Sequence, residues 1–126
     1  MIKEFRIPLW LPATAIMLAI FAFSATPSEH LPNFNWADLF IKKGAHAFGY
    51  GLLALAYFYA FRLMPAKLKL AWLLAFLYAI SDEFHQSFVV GRHASWIDVV
   101  IDGTGAAIAL FWMKKAYLSK ILKTDG

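Results

Sequence analysis

The chain has 126 residues, of which 61% are apolar and only 16% charged, where a soluble domain carries roughly 45–50% and about 25%. With 17% aromatics and a mean hydropathy of +0.59, this composition excludes an ordinary water-soluble globule. The length allows a single domain, 1–126, and the absence of cysteine excludes a disulfide scaffold, a thiolate metal site and a cysteine nucleophile.

In chain order, residues 7–28 form an uncharged run of 22 between Arg6 and Glu29, and a second run of 18 lies between Lys43 and Arg62, broken only by His46. About 20 mainly apolar residues cross a bilayer, so helices are predicted at about 7–24 and 44–63. A third, at about 69–88, begins purely apolar and then meets Asp82, Glu83 and His85. The fourth, at about 95–113, carries Asp98 and Asp102 early and continues apolar. The predicted fold class is therefore all-α, a membrane bundle of four transmembrane helices. Pro27 and Pro32 suit the first loop, and Pro65 the turn after the second helix. The first run also reads as a secretory signal, with Lys3 and Arg6 before it and Ala22-Phe23-Ser24 as a cleavage-like end. Its apolar stretch exceeds the 7–15 residues usual there, which favours a retained span.

Nine of the twelve lysines and arginines lie at the N-terminus, in the second loop and in the C-terminal tail; Lys42, Lys43 and Arg92 lie on the other side. The positive-inside rule then places both termini in the cytoplasm. The net charge of +4 is accounted for by topology, and no nucleic-acid partner is expected.

A helix rises 1.5 Å per residue, so depth follows from the distance to each cytoplasmic basic anchor. Tyr50, Asp82 and Asp102 fall about 18–20 Å in, and His46, His85 and Asp98 about 24 Å in, with Lys43 one turn beyond. Lys43, His46, Tyr50 and Tyr57 share a helical face, as do Asp98, Asp102, Gly105 and Ala109, and Tyr78, Asp82 and Gln86. Glu83 points about 100° from that last face. Gly49, Gly51, Gly103, Gly105 and Ala106 would let backbones approach closely. Four carboxylates (Asp82, Glu83, Asp98, Asp102) against Lys43 and Arg92 leave a charge of −2 when the histidines are neutral. That imbalance is costly away from water, so a carboxyl or histidine holds a proton or a cation binds. As plain fasteners, Arg92 is expected to pair with Asp98, and Lys43 with Asp82 or Glu83.

With these strings in view, the sequence resembles the VanZ-like family of small bacterial membrane proteins: Lys43-Gly44-Ala45-His46 with Tyr50, then Tyr78-Ala79-Ile80-Ser81-Asp82-Glu83-Phe84-His85-Gln86, Gly91-Arg92, and Asp98-Val99-Val100-Ile101-Asp102-Gly103-Thr104-Gly105-Ala106. Val90 stands where the family often has proline, and Asp102 where asparagine is also common. The resemblance implies a multi-pass protein of the bacterial plasma membrane. The family's name comes from a protein associated with teicoplanin resistance, which places its chemistry at the cell envelope without implying a reaction.

Two functional readings follow, beside a purely structural one. In the first, an outward-facing polar pocket binds an anionic lipid, an envelope precursor or a glycopeptide-type ligand through Lys43, Tyr50, Gln86, Arg92, Asp98 and Asp102. In the second, Glu83, Asp82 and His46 act as catalytic acid and base on a lipid-linked or phosphate substrate. No H-E-x-x-H spacing occurs and no metal is assigned; a G-x-S-x-G elbow is missing too, and the cofactor is left unknown. The expected partner is the lipid bilayer, and four helices are few for alternating access, so a carrier is expected to form a homodimer.

Overall fold

A computed structural model describes residues 7–27, 33 and 35–124. Among these residues the chain is all-helical and contains no strand. The four helices are α1 (Leu11–Ala25), α2 (Asp38–Ala60), α3 (Leu68–Gln86) and α4 (Trp96–Thr124), with 3₁₀ turns at Asn35–Ala37 and Pro65–Lys67 before α2 and α3. Lys3, Arg6, Glu29 and Pro32, used above for charge and loop placement, lie outside the described residues.

The boundaries differ from the predicted ones for local reasons. Pro12 occupies the first turn of α1, where a missing N–H costs nothing, so the helix starts at Leu11 and not near residue 7. α2 starts six residues early because Asp38 sits in its first turn and pairs with Lys42 one turn on, at 3.0 Å. α4 continues eleven residues past Met113. Lysine, alanine and leucine are good helix formers, and no glycine or proline interrupts Lys114–Thr124.

α2 and α4 share the most extensive interface. Lys43 meets Asp98, His46 meets Asp102, and Gly51 lies against Gly105 and Ala109, so contact positions advance in step and the two helices run parallel. The backbones come close at Gly105, where an added Cβ would lie 2.3 Å from the Ala47 carbonyl oxygen. A side chain there would force the backbones apart. α3 closes the bundle with Ala71, Ala75 and Ala79, all fully buried, and with the Trp72 indole N–H, which donates to the Gly103 carbonyl at 2.9 Å. α1 packs on α2 and α3; the Tyr78 hydroxyl donates to the Met17 carbonyl at 2.6 Å.

Large apolar side chains cover the outside, and a few polar ones are buried beside the apolar core. Leu18, Phe21, Phe48, Leu52, Leu77, Phe84, Ile108 and Phe111 are exposed, whereas Asp82, Glu83, Gln86, Asp102 and Ser24 are buried. In water this arrangement would be unfavourable on both counts. Among the described residues, α4 alone is both long and apolar enough to cross a membrane by length and composition. α1 is apolar but has 15 residues, about 22 Å; α2 and α3 are long enough but less apolar.

Candidate functional site

The buried polar groups gather at one end of the bundle, where α1 and α3 finish and α2 and α4 begin. A cavity of about 300 Å³ opens there. Lys42, Lys43 and His46 from α2, Glu83 and Gln86 from α3, and Asp98 and Asp102 from α4 line it, with Arg92 and His93 from the α3–α4 loop.

Each wall has a local cause. Lys43 pairs with Asp98, which corrects the expectation of Asp82 or Glu83: in parallel helices Lys43 and Asp98 stand at the same level. One turn further into the bundle, His46 Nδ1 lies 3.2 Å from both carboxylate oxygens of Asp102. Its Nε2 is 3.8 Å from Asp82 Oδ2. The side chains of Asp82 and Asp102 are each 1% exposed and that of His46 15%, so an imidazole is held between two buried carboxylates. The predicted separation of His46 from the Asp82 and Asp102 layer is therefore not kept. The offset that pairs Lys43 with Asp98 in the parallel helices also pairs His46 with Asp102, so these two residues stand at one level.

Arg92 is placed by a turn. The Arg92 N–H donates to the Val89 carbonyl at 3.2 Å, and Gly91 has φ 77°. Those are the marks of a type II turn, with glycine where φ must be positive; position 90 is the one such a turn opens to proline. The guanidinium then reaches back to the end of α1. Nε donates to the Thr26 carbonyl at 3.1 Å and Nη2 to the Phe23 carbonyl at 2.9 Å, over the Phe23 ring at 5.0 Å. No ion pair forms between Arg92 and Asp82, Glu83 or Asp98, so the expected Arg92–Asp98 fastener is corrected: the carbonyls that a helix end leaves free take its place. Three of the five guanidinium N–H groups have no partner among the described residues. Burial lowers the pKa of Arg92, while the carboxylates of Asp82 and Glu83 act in the opposite direction.

Glu83 accepts the Ser95 N–H at 3.0 Å, and the Ser95 hydroxyl accepts the Ile97 N–H at 3.2 Å. Ser95 thus caps α4, and Glu83 fixes where α4 starts. Gln86 donates to the Ser24 hydroxyl at 3.0 Å. His85 turns away from the cavity and stacks on Phe21, with centroids 4.5 Å apart. Tyr50 and Asp82 lie beneath the cavity and do not line it. The Tyr50 hydroxyl, Asp82 Oδ2 and His46 Nε2 are buried without a hydrogen-bond partner.

All nine predicted site residues thus meet at one end of the bundle, seven lining the cavity and two below it. Sequence reasoning missed Ser24, Ser95, Lys42, Asp38 and His93. A serine one residue from the end of an apolar helix and a serine just before a helix start were the available signals for the first two.

The VanZ/LLP1 family model matches residues 4–118, which contain the whole site. The chain belongs to the VanZ/LLP1 family. Comparison with curated proteins and with solved structures yields no match. Membership in this family, together with the apolar span of α4, points to a membrane protein.

Proposed function

We propose that this VanZ-like chain is a multi-pass protein of the bacterial plasma membrane, spanning it four times as one domain with both termini in the cytoplasm, and that its cavity faces outward and binds an anionic head group. The observation that carries the reading is the convergence of Lys42, Lys43 and Arg92 on one cavity, where Arg92 has N–H groups with no partner among the described residues and no pairing with Asp82, Glu83 or Asp98. A guanidinium meets phosphate or carboxylate through two parallel N–H bonds. The apolar belt outside and charged groups inside support the membrane placement, because intramembrane ionisable groups face the bundle interior or a water-filled cavity. Glu83 and His46 line the same cavity and carry the alternative of acid–base chemistry on the bound molecule.

Native mass spectrometry of the full chain, loaded with phosphatidylglycerol, phosphatidylcholine or a glycopeptide bearing a free carboxylate, tests this. Retention of the anionic lipid over phosphatidylcholine, reduced at least tenfold by Arg92→Lys, is expected. Equal retention of both lipids, unchanged in Arg92→Lys, would overturn the reading; preferential retention of the glycopeptide identifies the anion's source, and conversion of the bound lipid favours the acid–base alternative.

A further inference from the structure

The charge of the site sets a condition on the ligand just proposed. Five carboxylates (Asp38, Asp82, Glu83, Asp98, Asp102) stand against Lys42, Lys43 and Arg92 in and under the cavity. With His46 and His93 neutral these described residues carry −2, and an anion arriving there meets repulsion in a medium that screens poorly. One additional proton lowers that charge to −1.

The place for it is marked by three atoms. His46 Nε2, Asp82 Oδ2 and the Tyr50 hydroxyl are all shielded from solvent, and none has a hydrogen-bond partner within 3.5 Å, although the Tyr50 hydroxyl points at Asp82 from just beyond that distance. Tyr50 is 0% exposed, its ring centroid lies 5.6 Å from that of His46, and it faces Asp82. Unpaired buried polar groups are costly, and a carboxylate oxygen at 3.8 Å from an imidazole nitrogen is an attractive neighbour once that nitrogen carries a proton. Asp102, bonded to Nδ1, fixes the ring so that Nε2 is the nitrogen left to gain one. The groups facing His46 are Lys43 and Tyr50 on its own helix, Asp82 and Glu83 on α3, and Asp98 and Asp102 on α4, with Arg92 in the loop. His46 also lines the cavity, so an incoming proton has a short path from water.

We propose that His46, clamped between Asp102 and Asp82, is a proton-binding site coupled to the cavity above it, so that one proton is taken up when an anionic head group binds. This rests on the head-group reading. Linkage is reciprocal: the proton strengthens anion binding by the same factor as the anion strengthens proton binding. Lys43 connects the two sites, because an anion competes with Asp98 for it one helical turn from His46.

The test titrates short-chain phosphatidylglycerol onto the full chain in zwitterionic nanodiscs, by calorimetry in two buffers of different ionisation enthalpy. Uptake near one proton per lipid is expected, with affinity rising up to tenfold per unit fall in pH. His46→Gln should bind at least tenfold more weakly at low pH than the unaltered chain and without proton uptake or pH dependence. Binding without proton uptake by the unaltered chain overturns the coupling and leaves the head-group reading standing. Absence of binding overturns the head-group reading, and with it the coupling. Imidazole ¹⁵N spectra of the ligand-free chain then judge the proton site by itself. Between about pH 8 and pH 5, the window in which histidine changes charge, His46 should pass from one protonated ring nitrogen to two, and Asp82→Asn should shrink the doubly protonated fraction. A ring that stays singly protonated throughout overturns the proton site.

Discussion

At the scale of single residues, two side chains at this site act on the backbone more than on each other. Glu83 holds the amide that starts α4, and Ser24 receives the amide of Gln86 between α1 and α3. Removing an acceptor from a buried donor costs about 1–3 kcal/mol. Because the Ser95 N–H is only partly buried, Glu83→Ala should lower unfolding stability in detergent by about 1 kcal/mol, whereas Glu83→Gln, which keeps a carbonyl oxygen for that N–H, should lower it by less. Equal losses in both variants would show that the negative charge, and not the hydrogen bond, is what α4 needs. Ser24→Ala should cost about 1–3 kcal/mol, measured by thermal unfolding. A neutral result would mean that Gln86 finds another acceptor.

At the scale of elements, the site depends on how closely α2 and α4 approach. Ala47, Gly51, Gly105 and Ala109 leave so little between the backbones that Lys43 and Asp98, and His46 and Asp102, meet across the interface. Gly105→Ala places a methyl group 2.3 Å from the Ala47 carbonyl oxygen, and overpacking of this kind costs typically about 1–3 kcal/mol. The midpoint of thermal unfolding should fall accordingly. Gly49→Ala is the control: its nearest neighbour is Ile20 Cγ1 at 3.9 Å, so that variant should be neutral or gain up to about 1 kcal/mol from helix propensity. Similar losses in both would place the close approach elsewhere. The helix ends belong to this scale too. Pro12, the Asp38–Lys42 pair and the unbroken Lys114–Thr124 segment moved three boundaries away from where hydropathy put them, since hydropathy registers the solvent and not the cap.

At the scale of the whole molecule, the exposed apolar belt and the buried ionic interior are one arrangement seen from two sides. Exposed apolar side chains and buried ionisable groups are both what a membrane protein would show, in keeping with the family and the apolar α4. A reporter fused after Gly126 should behave as cytoplasmic, and one inserted between Pro27 and Asn35 as external. An external C-terminal reporter would reverse the orientation and turn the cavity toward the cytoplasm.

Helical class, and the gathering of the nine singled-out residues at one end of the bundle, were legible in the linear sequence, because depth along a helix is a matter of counting and charged residues are rare in apolar runs. The family was legible as well, from the spacing of Lys43, His46, Tyr50, Asp82, Glu83, Gln86, Arg92, Asp98 and Asp102. Pairing was not. Which carboxylate Lys43 meets depends on α2 and α4 running parallel at glycine distance, and whether Arg92 finds a carboxylate or a helix end depends on the direction Gly91 gives the loop. Periodicity specifies a face and a height on each helix. Only the packed bundle specifies which face looks at which neighbour, and for that reason the placement of His46 between Asp82 and Asp102 emerged from the tertiary structure alone.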